Sequence, residues 1–178
     1  PRPYDMLEGV VLMELVTDDE GDVAPRLSDV VMSAEQAEED HALMMQYVVR
    51  MLCAGIIHGD LSEFNVLVDD YGPVIIDLPQ AGDAAANNNA EAMLYRDVDN
   101  MTRYYSQYAP SLRGSRYGQE IWALYESGEL TPDSELTGEV DDDEHIADVD
   151  EVLAEIKAAF EEEQERSERR SDEPEDGG

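Results

Sequence analysis

The 178-residue chain carries 44 Asp and Glu against 11 Lys and Arg, a formal charge of −33, with one cysteine, Cys53, and a single lysine, Lys157. A surface this acidic repels phosphate backbones, which argues against direct DNA binding. No run of about 18 apolar residues and no apolar segment behind a basic stretch occurs, so membrane insertion and secretion lack a signal and the thiol reads as one kept reduced in a cytoplasm. Acid-rich, lysine-poor composition also suits hydration in concentrated salt, a halophilic character; the plainer alternative is an acidic protein with an acidic tail.

In chain order, residues 10–16 predict a buried strand with Glu14 inside it, followed by a loop, "TDDEGDVAPRL", turned by Gly21 and Pro25. Ser33 with Gln36 three residues on forms a capping box, and it opens a helix with apolar positions Ala37, Met44, Tyr47, Val48, Met51 and Leu52. Cys53 at its end reads as a core thiol, and Gly55 as the stop. The runs "FNVLV" and "PVIID", joined by "DDYG", predict a small hairpin with a Gly turn.

Residues 81–88 are small or amide-bearing and predict a loop. A second helix follows with Leu94, Val98, Met101, Tyr105 and Tyr108 on one face, stopped at Pro110, and a third spans 119–127 around Trp122 with Gly128 as its cap. The last 46 residues hold 20 acidic and 4 basic side chains, yet Ile146, Val149, Leu153, Ile156 and Phe160 make one apolar stripe, which predicts a helix ahead of a polar, fraying end. The charge run "DDDEH" reads as solvated, and the acceptor pattern at Asn100 as chance.

The chemistry concentrates in "IIHGDLSEFNVLVDDYGPVIIDLPQ", residues 56–80. A loop entering the hairpin holds Asp60 and Asn65, and the second strand delivers Asp77 to the same end. Three oxygen-bearing side chains converging in this way suit Mg²⁺, which takes one or two carboxylates together with waters and substrate phosphates. Phosphoryl transfer asks little covalent chemistry of a protein: it must hold a metal over the phosphates and an acceptor in line. Asp60 would then orient and deprotonate the acceptor, Asn65 and Asp77 would hold metal, and His58 reads as a packed, hydrogen-bonded core residue. An H-x-D followed by Asn five residues after the Asp, then a strand-terminal Asp, is the spacing of a kinase catalytic loop.

"HGDLSEFNVL" and "IIDLPQ", with "MLYRDVDNM" and "YGQEIWALYESGEL" further on, resemble the RIO-type atypical serine/threonine protein kinases. Ordinary protein kinases carry Lys two residues after the catalytic Asp and a D-F-G triplet; here Ser62 and Asp77-Leu78-Pro79 stand instead, departures that RIO-type proteins share. The resemblance implies an α+β fold, the mainly helical C-terminal lobe of a kinase-like fold with a hinge strand and a small catalytic hairpin. Residues 1–16 would be the hinge strand, 17–136 the lobe, and 137–178 an acidic helix and disordered tail.

The resemblance also implies ATP with Mg²⁺, or Mn²⁺ in its place. Met13 would be the gatekeeper, the backbone of Glu14 and Val16 would pair with adenine, and Leu67 would lie under the base. Ser62, Glu63 and Asn65 complete the nucleotide contacts. Catalysis would rest on Asp60 and Asp77, the latter either a ligand or itself a phosphoryl acceptor. Partners would be a protein substrate or the chain itself through autophosphorylation, and a ribosome-assembly particle. Ahead of the hinge there is no Gly-rich loop, strand lysine or helix glutamate, so the chain reads as one lobe of a longer protein. Two alternatives come from other classes: a non-catalytic assembly factor switched by ATP, and a small-molecule phosphotransferase of the aminoglycoside or choline kinase type.

Overall fold

A computed structural model describes residues 1–7, 10–78, 82–84 and 88–140. Strands β1 (Pro3–Leu7) and β2 (Val10–Met13) pair antiparallel, with Leu7 opposite Val10 and Pro3 opposite Met13. Every residue of both strands is exposed, which corrects the expectation of a buried strand over 10–16. Apolar runs read as buried because such side chains gain from cover, but β2 pairs with β1 alone and no described helix packs on the hairpin. Residues 14–16 continue no strand, and the next pairing along the chain is an isolated bridge, Thr17 to Val23.

Helix α1 (Ala34–Cys53) begins as its cap predicts, the Gln36 amide donating to Ser33 Oγ at 3.1 Å. The Gln36 side chain does not reach back to complete the box; its Nε2 donates to Asp40 Oδ1 at 2.8 Å. Gly55, at φ 78°, ends the helix in the left-handed conformation that favours glycine. Cys53 is exposed, not a core thiol, because the buried stripe runs through Val48, Val49 and Leu52 and the next residue rotates outward.

Strand β3 (Ile56–Ile57) pairs with β6 (Gly82–Asp83), so part of the expected 81–88 loop is a short strand. Between them β4 (Val66–Asp69) and β5 (Gly72–Ile75) form the predicted hairpin around Asp70 and Tyr71. β5 ends at Ile75, only its Pro73 is fully buried, and Asp77 lies two residues beyond in the open, so Asp77 does not close a buried strand as expected. Helix α2 (Ala90–Tyr105) stops before Tyr108, and Pro110 opens a separate 3-10 turn, Pro110–Leu112, where it had been expected to end the helix. Tyr108 still contributes, its hydroxyl donating to the Val30 carbonyl at 3.3 Å. Helix α3 (Tyr117–Ser127) ends at Gly128 in the left-handed conformation, as predicted. The acidic helix expected within 146–160 lies outside the described residues.

The three helices share one core, in which Met44, Val48 and Leu52 of α1 meet Leu94, Val98, Met101 and Tyr105 of α2 and Ile121 of α3. Leu27, Leu61 and Val66 extend that core beneath the β4–β5 hairpin. Backbone bonds lace the 25–28 segment to the same hairpin: Val68 donates to Pro25 at 2.9 Å and Ser28 to Glu63 at 3.2 Å. The hairpin therefore rests on helices beneath and on a pinned loop at its flank.

Candidate active site

His58 is 2% exposed and ties the two halves of the site together. Its Nε2 lies 2.9 Å from the Ile76 carbonyl and can only donate there, so Nδ1 is the acceptor for the Asp60 amide at 3.3 Å. One ring thus bonds the residue before Asp77 and the backbone of Asp60. The structural role expected of His58 is what the bonds show.

Asp60 is exposed, and Asn65, half-buried, turns onto it. Asn65 Nδ2 donates to the Asp60 carbonyl at 2.8 Å and lies 3.5 Å from Asp60 Oδ2. The Asn65 carbonyl in turn accepts from the Ile76 amide at 3.0 Å. Asp60 and Asn65 are therefore in contact, and Asp77 follows directly on the residue bonded to both Asn65 and His58. Asp77 sits at φ 64°, a left-handed conformation that aspartate tolerates better than most side chains. With Nδ2 committed to Asp60, Asn65 keeps Oδ1 for a ligand. An amide oxygen and the Asp60 carboxylate beside it are donors of the kind Mg²⁺ takes, while no hydrogen bond among the described residues joins the Asp77 side chain to either of them.

The helix beneath supplies residues that the spacing of Asp60, Asn65 and Asp77 did not reveal. Asp97 of α2, 2% exposed, accepts from the Gly59 amide at 2.7 Å through one oxygen and from the Leu61 amide at 2.9 Å through the other. Burial pushes its pKa up, and the Leu61 and Gly59 amides pull it back. Arg96 donates to the Gly59 carbonyl and Asn100 to the Leu61 carbonyl at 3.2 Å. Three side chains of one helix thus hold both faces of the backbone around Asp60. A signal existed: position 97 falls between Leu94 and Met101 on the apolar stripe, where a charge has to earn its burial through bonds. Asn100 is engaged in the same clamp.

The nucleotide contacts implied by resemblance are dispersed. Met13 and Glu14 are exposed, Val16, Ser62, Glu63 and Leu67 are half-buried, and Leu67 bridges to Arg26. The Glu14 amide donates to Arg2 at 2.8 Å and the Val16 carbonyl accepts from Ala24 at 3.0 Å. Among the described residues, the Glu14 carbonyl and the Val16 amide have no backbone hydrogen-bond partner.

The chain thus combines three packed helices with small antiparallel sheets, an α+β arrangement in which one helix braces an acidic loop. The family model described as the RIO domain matches residues 1–116, and the chain belongs to that family. It is similar to the RIO-type serine/threonine-protein kinase Rio1 of Haloferax volcanii, 35% identical over 116 residues that cover 64% of this chain and 38% of that protein. Rio2 of Methanocaldococcus jannaschii, also named a RIO-type serine/threonine-protein kinase, is 36% identical over 110 residues, 61% of this chain and 39% of its own. The human serine/threonine-protein kinase RIO1 is 31% identical over 110 residues, 61% of this chain and 19% of its own. The match therefore spans about two fifths of the first two relatives. Among the described residues no helix is long and apolar enough to cross a membrane.

Proposed function

We propose that the chain is the catalytic-loop and metal-loop lobe of a RIO-type enzyme that transfers a phosphoryl group from ATP, as a protein serine/threonine kinase or an ATPase. The observation that carries this is the bonded set of Asp60, Asn65, His58 and Ile76, which brings the end of one motif against the start of the other. Asp60 takes the proton of the acceptor hydroxyl or of the attacking water. Asn65 through Oδ1 and Asp77 through its carboxylate hold Mg²⁺, or Mn²⁺ in its place. Bound there, the metal neutralises charge on the phosphates. Ser62 and Glu63 border the phosphates, Leu67 lies under adenine, Met13 guards the back of the base, and the Glu14 carbonyl and Val16 amide pair with its edge. A second route uses Asp77 as nucleophile: its oxygen bonds to the γ-phosphorus as the bond to the β,γ-bridging oxygen breaks, ADP leaves, and water later cleaves the acyl phosphate.

The exposed β1–β2 hairpin supports an upstream lobe that continues this sheet and carries the phosphate-covering loop and lysine. With it, residues 1–16 form the hinge, 17–136 the lobe and 137–178 an acidic extension. A cytoplasmic setting and a protein or ribosome-assembly partner go with this assignment.

The decisive experiment measures ATP binding and phosphate release by the full-length protein, with hydroxylamine to detect an acyl phosphate. Asp77→Ala is expected to lose both binding and turnover. Asp60→Ala is expected to keep binding while turnover falls by about 10² to 10⁴, the usual reach of a general base. Turnover at the wild-type rate in Asp60→Ala would remove that role and favour a nucleotide-operated switch.

A further inference from the structure

Phe64 stands one residue before Asn65 and is 56% exposed, while the nearest apolar residues on either side of it, Leu61 and Val66, are buried. It does not hang on a slack segment. The Asn65 amide donates to the Ser62 carbonyl at 3.0 Å, closing a turn with Glu63 and Phe64 at its centre. The Ser28 amide holds the Glu63 carbonyl at 3.2 Å, and Asn65 Nδ2 holds the Asp60 carbonyl at 2.8 Å. Such turn positions ordinarily go to Gly, Asn, Asp, Pro or Ser, which ease the bend or bond the backbone. A phenyl ring does neither, and in water it forgoes the stabilisation that burial gives it.

Single exposed apolar residues are common on protein surfaces and need no cause by themselves. Phe64 differs in its place. Its Cα lies about 3.8 Å from that of Asn65, whose side chain touches Asp60, the proposed base. An extended acceptor segment advances about 3.3 to 3.6 Å per residue. With its serine or threonine hydroxyl at Asp60, the residues next to that hydroxyl pass within reach of Phe64. A ring on a fixed turn gives cover to a large apolar side chain at little cost in ordering, because the turn is already held. The charge nearby narrows the occupant further: Asp29 and Asp60 are exposed, Glu63 is half-buried, and the Ser28 to Glu63 bond sets the 3-10 turn Leu27–Asp29 alongside. A segment rich in Asp or Glu is repelled there, and one carrying Lys or Arg is drawn in.

We propose that Phe64 selects the phosphoryl acceptor: a protein segment whose serine or threonine has a large apolar residue within three positions, in a stretch that is basic rather than acidic. The apolar residue lies on the Phe64 ring and so sets the hydroxyl at Asp60. This selection rests on the phosphoryl transfer proposed above and decides which protein receives the group, which the Asp60 and Asp77 variants do not address.

The test offers the full-length protein, with ATP and Mg²⁺, a library of serine peptides varied one position at a time on a Lys-containing or a Glu-containing background. Phosphate release without peptide is followed in parallel. Wild type is expected to favour Leu, Ile, Met or Phe over Asn by about tenfold in kcat/KM at a position within three of the serine, and to favour the Lys background. Phe64→Ala should lose the apolar preference through a higher KM, and Phe64→Leu should keep most of it. Both variants should retain the melting temperature and ATP affinity of wild type, since the ring is exposed. A lower melting temperature in Phe64→Ala would show that another part of the protein covers the ring, and would overturn the proposal. So would an apolar preference that survives in Phe64→Ala, no such preference in wild type, a preference for the Glu background, or ATP turnover that leaves every peptide unphosphorylated. Each of these leaves the phosphoryl-transfer reading standing, whereas absence of ATP turnover removes both.

Discussion

His41 shows how a single buried titratable group couples this core to pH. It is 1% exposed, its Nε2 lies 2.9 Å from Thr102 Oγ1 of α2, and its ring meets Tyr105 edge-on at 5.8 Å and Tyr117 of α3 at 5.0 Å. Burial lowers its pKa to about 4, so the folded state refuses a proton that the unfolded chain accepts below its ordinary value of 6.5. The sign follows: the contribution is complete above 6.5 and is lost as pH falls toward 4, with a slope of about 1.4 kcal/mol per unit. Asp40 and Asp97, whose pKa values burial raises, act in the opposite sense and are lost as pH rises. The useful measurement is therefore a difference, in which those groups cancel. Unfolding free energies of wild type and His41→Phe should converge as pH drops from 7 to 4.5, and a constant gap would refute the assignment.

At the level of the element, helix α2 does two jobs with adjacent residues. Leu94, Val98, Met101 and Tyr105 bury its apolar face, while Arg96, Asp97 and Asn100 fasten the backbone that carries Asp60. A catalytic loop gains precision when its support is a packed helix rather than another loop, because packing fixes the rotamers that hold it. Asp97→Ala strands two buried amide donors at roughly 1–3 kcal/mol each. It is expected to lower stability by several kcal/mol, with turnover falling further than the folded fraction. Asp97→Asn keeps the shape but turns an amide NH₂ toward one of those donors, so it should fall between wild type and Ala. Chemical denaturation and turnover on the same samples check this; a variant as stable and active as wild type would show that α2 does not position the loop.

For the molecule as a whole, charge and the exposed hairpin dominate. A formal charge of −33 opposes compaction through self-repulsion, and screening shortens its reach from about 10 Å at 0.1 M ionic strength to about 3 Å at 1 M. Melting temperatures should therefore rise from dilute buffer to molar KCl, whereas flat or falling values would exclude dominant self-repulsion and the halophilic character with it. The exposed hairpin makes the second prediction. Tyr4, Met6, Leu7, Val10 and Leu12 are each more than half exposed, more apolar surface than one hairpin ordinarily leaves in water. On the proposed function, residues 1–178 alone should bind Mg-ATP weakly, and a longer protein carrying the proposed upstream lobe should bind it well. Calorimetry on both decides, and equal affinities would mean that the nucleotide site lies elsewhere.

Local rules in the sequence determined the helices, their caps, the hairpin and the kinase-like spacing of Asp60, Asn65 and Asp77. Capping, helical period, turn chemistry and catalytic spacing all act over a few residues, so the chain displays them without its fold. Tertiary structure alone decided the rest. Which faces find cover depends on what packs above them, and so the apolar 10–15 run is exposed and Cys53 faces outward. The pairing of Gly82–Asp83 with Ile56–Ile57 joins segments separated by a whole hairpin, and no local pattern encodes such a partner. The anchoring of Gly59 and Leu61 by Asp97 spans more than 35 residues. A buried charge on an apolar stripe can be seen in the sequence, but the amides it satisfies exist only once the helix has docked.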